Sequence, residues 1–379
     1  MKSFITSIFL KGIISSLLLL HGFLAQAQEK PSAEALLQQA LAQCAQIYAQ
    51  TTQEKHFIYR ETVAQNRQYA QLTEATGNLR YQPYQASFDY RQAYKQYHQG
   101  TLYNTSFLDT RRHRVLTHPD DQARIYEARS CEANFQPGTA IQLKGGPLGL
   151  TAYDLVKYPA VFMEKGSKAM PTPSLSPSYQ FRLLGEGLQK DRICYEIEFL
   201  PYPTLRKEAL FAGKIYLDKE SLAIVRVNYQ QIADEQQDVQ VYAGEKFIYQ
   251  GHQVNVCYQP LENGQWTLSQ IEVRDQIQWQ PNARPATWLT YQNESAIWLQ
   301  PEAETVSSSL SGHIVPNQRD LGLASQIGDY HPLYWQALQN QALYPSLPVA
   351  VKADLEKKTS LERQFMGQTE ALSARSLQK

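Results

Sequence analysis

The feature that most restricts this chain is a period-two alternation that returns again and again between residues 179 and 297. Its clearest instance is Ile193-Cys194-Tyr195-Glu196-Ile197-Glu198-Phe199, where Ile193, Tyr195, Ile197 and Phe199 share one side and Glu196 and Glu198 the other. Side chains of a strand point alternately to opposite faces, so such a segment makes a sheet with one dry and one wet side, as antiparallel sheets allow. Tyr179-Gln180-Phe181-Arg182-Leu183 precedes it, through a turn region from Gly185 to Asp191. Gly213 to Asp218 and Leu222 to Tyr229 follow as a hairpin around Lys219-Glu220. Further strands are expected at Glu245–Tyr249, Val254–Tyr258, Trp266–Val273 and Ala286–Ile297, each set off by Gly, Asn or Pro. Earlier in the chain Phe57 to Val63, Leu79-Arg80-Tyr81 and Phe88 to Arg91 alternate in the same way.

Helical spacing appears at the two ends. Ser32 to Gln50 is rich in Ala, Leu and Gln with apolar residues returning every three or four positions, and Glu34 suits the first turn of a helix. Tyr330 to Gln336 begins a short aromatic helix, Val349 to Phe365 reads as a closing helix, and residues 367–379 form a polar tail. Between the strand blocks, Gln136 to Ser178 is Gly- and Pro-punctuated loop with a short helix at Tyr153–Tyr158; a loop of this length suits a lid or a partner-binding segment. Lys144 to Gly149 reads as a turn, because Pro147 removes a backbone donor that a phosphate cradle needs. The fold class expected is therefore α+β: a curved, half-barrel-like antiparallel sheet with an N-terminal amphipathic helix and short C-terminal helices, in a single domain over residues 28–366.

Residues 1–27 predict a compartment. Lys2 and Lys11 precede and flank the apolar run Gly12–Leu24, no acid occurs before Glu29, and the run closes on Ala25-Gln26-Ala27. That is the pattern of a cleavable signal peptide, with cleavage expected between Ala27 and Gln28, and the run is short of the roughly 20 residues a membrane-crossing helix needs. The expected location is the periplasm or the periphery of the outer membrane, with no transmembrane segment in the mature chain. Cleavage takes two lysines from 36 basic residues and leaves all 36 acidic ones, a formal charge of about −2. That balance argues against a nucleic-acid partner. Cys44, Cys131, Cys194 and Cys257 allow two disulfides in an oxidising compartment, although Cys194 inside an apolar run reads more readily as a core residue.

No catalytic or cofactor signature is present. The sequence lacks HExxH, GxSxG, Walker and dinucleotide-glycine patterns, and no pair of histidines or cysteines has the spacing of half a zinc site. His113 and His118 flank Arg111-Arg112, while His252, His313 and His331 stand apart from other ligand-type residues. No metal and no cofactor is expected. Carboxylates two apart, such as Glu196 and Glu198, are the wet side of a sheet before they are an acid–base pair. The one surplus is aromatic: 24 Tyr, 13 Phe and five Trp. Aromatic sheets can line a groove for an apolar ligand, and Phe181, Ile193, Tyr195, Ile197 and Phe199 are the residues expected to do so.

The order of several short motifs resembles the C-terminal region of proteins exported by Bacteroidota and labelled "carboxypeptidase-like regulatory domain-containing". The motifs are Tyr59-Arg60-Glu61, Glu74-Ala75, Gly145-Gly146-Pro147 with Tyr153 to Lys157, Gly213 to Asp218 with Ser221 to Ile224, Tyr330 to Trp335, and Leu361 to Phe365. The resemblance implies no catalytic activity, since the label describes a preceding sandwich domain. Its outline is similar to the half-barrel of periplasmic lipoprotein carriers, which hold acyl chains on a concave sheet. The reading that follows is a non-catalytic envelope protein binding an apolar or amphipathic ligand, such as a lipid, or docking an envelope protein partner. Its rivals are an envelope hydrolase using dispersed carboxylates and an assembly factor of the outer membrane.

Overall fold

The computed structural model describes residues 31–81, 122–132, 146–151, 153–157, 175, 177–205, 211–232, 239–242, 245–281, 287–301, 323, 330–341 and 344–367. The proposed signal peptide, the alternating segment at Phe88–Arg91 and the tail beyond 367 lie outside them.

The alternating segments form one antiparallel sheet of 11 strands. In chain order they are β1 (Gln53–Gln65), β2 (Gln68–Tyr81), β3 (Gln122–Glu132), β4 (Tyr179–Gln189), β5 (Arg192–Pro201), β6 (Phe211–Asp218), β7 (Ile224–Gln231), β8 (Gln240–Tyr242), β9 (Glu245–Pro260), β10 (Trp266–Gln280) and β11 (Leu289–Pro301). The order across the sheet is β3-β2-β1-β11-β10-β9-β7-β6-β5-β4, with β8 beside β9. Two meanders, β1–β3 and β4–β11, are thus joined by a single seam in which β1 pairs β11 from Lys55↔Pro301 to Gln65↔Tyr291. The end strands β3 and β4 are not partners, so the sheet is an open one and not a closed barrel. Register shifts at Val63/Ala64, Thr76/Gly77, Leu183/Gly185, Tyr216/Leu217, Leu268/Gln270 and Gln276/Ile277 bend and twist it.

Helix α1 (Ala33–Ile47) is capped by Ser32, whose Oγ accepts from the Ala35 amide at 3.1 Å. It buries Leu36, Leu37, Ala40 and Leu41 in the main core, which lies on the sheet's inner face. Among the described residues the other face is covered over β1–β3 and at Trp298 of β11. There α3 (Pro332–Gln339), α4 (Val349–Leu355) and a helix at 361–367 bury Trp335, Leu338, Val351, Leu355 and Phe365 against Ile58, Leu72 and Cys131. Residues 57–64 of β1 are consequently buried on both sides, and the wet face that the alternation predicts disappears from this half of the sheet.

Several local expectations are corrected. Within the turn expected at Lys144–Gly149 the described residues begin helix α2 (Gly146–Thr151), with Pro147 in its first turn where a missing amide costs nothing, and Tyr153–Lys157 is turns instead of a helix. The expected Gly185–Asp191 turn is a continuation of β4 to Gln189 through a bulge; the reversal needs only Lys190 and Asp191, with Lys190 at φ 51°. The strands expected at 245–249 and 254–258 are one strand, because Gly251 sits by a bulge without ending it. The closing helix divides at 356–360, where Ser360 starts a second one and the Gln364 side chain donates to the Leu355 and Thr359 carbonyls. All four cysteines are free thiols; Cys194 is fully buried in the main core.

Candidate functional site

The inner face carries an apolar row that crosses the sheet in register. It runs from Ile197 through Ile215, Val227, Val256, Ile271 and Ile297 to Tyr59, all fully buried. One register step away the chemistry changes. Ser295, Glu61, Thr73 and Ser130 are cross-strand neighbours on β11, β1, β2 and β3, and all are buried. Tyr59 donates to Glu61 Oε2 at 2.5 Å, and the Thr73 and Ser130 hydroxyls lie 3.0 Å apart. A further step brings His252, Asp275 and Asn293 into line on β9, β10 and β11. His252 Nδ1 meets Asp275 Oδ1 at 2.6 Å, and Asn293 donates to Ser295 Oγ at 3.1 Å while its own Oδ1 has no partner. Beyond this polar belt a second apolar cluster of Val63, Phe247, Ile277, Trp279 and Tyr291 closes the face.

Burial dominates the electrostatics of the belt. It pushes the Glu61 carboxyl up to about 7, with the Tyr59 hydroxyl bond pulling the other way. The Tyr59 hydroxyl is driven far above its ordinary range by the same burial and by the Glu61 charge beside it.

The chain itself occupies the inner face. α1 covers part of it, and Tyr48 following α1 donates to the Ile224 carbonyl at 2.8 Å. The segment from Gly146 to Lys157 covers another part, burying Leu148, Leu150, Leu155 and Val156. Several contacts hold that segment, among them the Val156 amide donating to the Tyr258 hydroxyl at 3.2 Å. Asp154, fully buried, accepts from the hydroxyls of Tyr81 (2.5 Å) and Tyr258 (2.7 Å) and from the amides of Val156 (3.0 Å) and Lys157 (3.2 Å). Lys157 Nζ stands 3.7 Å over the Tyr81 ring, and Tyr153 packs on His252 with ring centres 5.5 Å apart.

Of the residues expected to line a groove, Phe181, Ile197 and Phe199 lie in the buried core of the inner face, with Phe181 opposite Phe199. Tyr195 is half-buried against that core. Ile193 is 56 % exposed and pairs with Leu188 at the end of the β4–β5 hairpin, beyond the covered area. Glu196 and Glu198 are on the other face, paired with Lys214 and Arg182. The belt and the Asp154 anchor had no local signal: His252 stands apart in sequence because Asp275 is 23 residues away on the next strand. Among the described residues no three His, Cys, Asp or Glu side chains gather as metal ligands, and no helix is long and apolar enough to cross a membrane.

Neither a family model nor a curated protein matches the chain. Solved structures are similar to it at low identity. A DUF1329 family protein from Desulfovibrio piger has 11% identity over 74% of this chain and 96% of its own, with a TM-score of 0.27. A LolA superfamily protein from Nitrosomonas europaea has 8% identity over 74% and 99%, TM-score 0.22. An outer membrane lipoprotein-sorting protein domain from Vibrio parahaemolyticus has 9% identity over 67% and 88%, TM-score 0.22.

Proposed function

We propose that this chain is a non-catalytic, exported binding protein of the cell envelope, and that its inner sheet face takes an apolar or amphipathic ligand in place of the Gly146–Lys157 segment. The observation that carries this reading is the way the segment is held. Leu148, Leu150, Leu155 and Val156 lie on an apolar sheet face as a ligand's hydrocarbon would, and the polar ties of Asp154 and Val156 to the sheet run to the hydroxyls of Tyr81 and Tyr258, while Asp154 also caps its own segment's Val156 and Lys157 amides. Because these ties go to tyrosine side chains, a bound chain can displace the segment without breaking a strand pairing. Ile271, Ile297 and Tyr59 would then form the floor where the segment lay, Phe181, Ile197 and Phe199 would continue it across β4 and β5, Tyr195 would border it, and the exposed Ile193 and Leu188 would be the lip by which a ligand enters. The polar belt would meet a head group.

The test is native mass spectrometry with lipid extraction of the mature protein, residues 28–379, purified from its own periplasm. A bound acyl species, and a larger bound fraction in Asp154→Asn, is the expected result. An empty protein in both forms sinks the carrier reading and turns the search toward a protein partner. A hydrolase remains the rival because Glu61 is a buried acid held near neutrality beside a polar belt. Turnover of ester or glycoside substrates that vanishes in Glu61→Gln would favour it.

A further inference from the structure

The outward face of the sheet has a depression centred on one alanine. Ala296 of β11 stands opposite Glu272 of β10 on one side and Arg60 of β1 on the other, and its neighbours on the same face of its own strand are Trp298 and Glu294. Residues two apart on a strand share a face, so a methyl group is here ringed by four long side chains. The result is a groove of about 480 Å³, within the roughly 300–1,000 Å³ typical of small-ligand pockets. Pro345, Ser346 and Pro348 form one wall. That wall is tied to the floor, because the Arg60 Nη groups donate to the Ser346 and Pro345 carbonyls at 2.9 and 2.7 Å.

Charge in the groove is matched within it. Arg60 Nε meets Glu74 at 2.7 Å, and Arg274 Nε lies 2.9 Å from Glu294 Oε1. Arg226 is joined to Glu272 through one amide: Asn255 Oδ1 accepts from Arg226 Nε at 2.7 Å, and Asn255 Nδ2 donates to Glu272 at 3.0 Å. A ligand with net charge of either sign would therefore meet its own sign along with the opposite one, which costs affinity. What the groove leaves unspent is hydrogen-bonding capacity of both kinds. The Nη groups of Arg226 and Arg274 have no acceptor, and Glu294 Oε2 no donor, among the described residues. Gln253 Nε2 donates to Gln230 Oε1 at 3.3 Å, which leaves the oxygen of the first and the amino group of the second.

A hydroxyl both donates and accepts, so a ligand rich in hydroxyls uses such a mixture where a carboxylate or an ammonium uses half of it. The half-buried Trp298 adds apolar surface at one end of the depression. From this combination we infer that the outer groove is a second binding site, and that it takes an uncharged saccharide. The ring lies over Ala296 and beside Trp298, and the Arg274–Glu294 pair and the Arg226–Asn255–Glu272 chain take its hydroxyls.

The experiment is saturation-transfer NMR on the full mature chain at pH 7 with the methyl glycosides of glucose, galactose and mannose. Galacturonate, glucosamine and dialanine are the acidic, basic and zwitterionic comparisons. At least one glycoside should bind saturably, about tenfold more tightly than any charged probe, and with the same affinity at low and high salt. Ala296→Leu fills the depression and should weaken that binding by at least about tenfold while leaving the circular dichroism spectrum and melting temperature unchanged. Should it misfold, Glu272→Leu, which removes two acceptor oxygens from the rim, carries the test with the same expected loss. Absence of binding by all three glycosides, a charged probe that binds as tightly, or full affinity in the folded variant overturns the inference. Asp154→Asn should leave this binding untouched, since the site faces away from the Gly146–Lys157 segment.

Discussion

Glu61 and Glu74 sit on neighbouring strands in almost the same register, where Glu61 pairs with Thr73 and Arg60 with Glu74, yet they face opposite sides of the sheet. Both are fully enclosed, and their environments drive them in opposite directions. Burial pushes Glu61 up to about 7, because its bonded partner is only a tyrosine hydroxyl. Burial pushes Glu74 up as well, but the guanidinium groups of Arg129 and Arg60 and the Tyr344 hydroxyl outweigh it and hold the carboxyl below its ordinary value. Glu74 is bound by Arg60 at 2.7 Å and Arg129 at 2.6 Å, and Arg129 lies 4.1 Å from the centre of the Trp335 ring and 4.6 Å from that of Phe365. The outer cover is therefore clamped by charge, and the inner segment is pinned by neutral donors on one carboxylate. The difference teaches that the groups facing a buried carboxylate, and not burial alone, decide which way it is driven.

The largest expected effect comes from unclamping the outer layer. Glu74→Gln leaves two guanidinium groups buried without a counter-charge and should cost about 3–5 kcal/mol in urea unfolding at pH 7. A cost below 1 kcal/mol would mean that the C-terminal helices are held by apolar packing alone. Next, Glu61→Gln should stabilise the protein by up to about 3 kcal/mol at pH 8 and by nothing near pH 4. The sign follows from the raised folded value: the penalty is absent below the ordinary 4.5, grows as pH rises toward about 7, and persists above it. Glu74 has the opposite sign, so its stabilisation is complete above the ordinary carboxylate range and is lost as pH falls through it. Asp154→Asn should cost about 1–3 kcal/mol and raise amide exchange at 146–157 before anywhere else. Uniform loss of protection over the inner face would make the segment an integral part of the core. Smallest of all, Glu198→Gln breaks the Arg182 pair, whose arginine is 69% exposed, and should change stability by less than about 1 kcal/mol.

Much of the sheet is legible in the sequence, because Ile197, Phe199, Ile215, Val227 and Val256 carry their inward facing in a period of two that a single strand suffices to display. Helix α1 is legible for the same reason, with a cap at Ser32 and a local stripe. The three-layer half is not. Ile58, Arg60 and Glu74 look like the wet side of their strands until helices some 270 residues later cover them, as the Arg60–Ser346 and Glu74–Tyr344 bonds record. Helix α2 was hidden by its own glycines and proline, which read as a turn wherever tertiary contacts do not decide otherwise. The site is less legible than the fold. Tyr81, Asp154 and Tyr258 share no motif and meet only through the topology.

The seam between β1 and β11 has a consequence for how the molecule comes into being. Strands β4 to β7 and β9 to β11 each pair with a near neighbour along the chain, so that half zips by short loop closures. The β1–β2–β3 half has no sheet to join until β11 exists, because Lys55 must find Pro301 across more than half the chain. During vectorial synthesis the first strands emerge first and wait longest. Their long unpaired edge is then the segment most in need of a holding partner, and the rate of seam closure sets how long that need lasts.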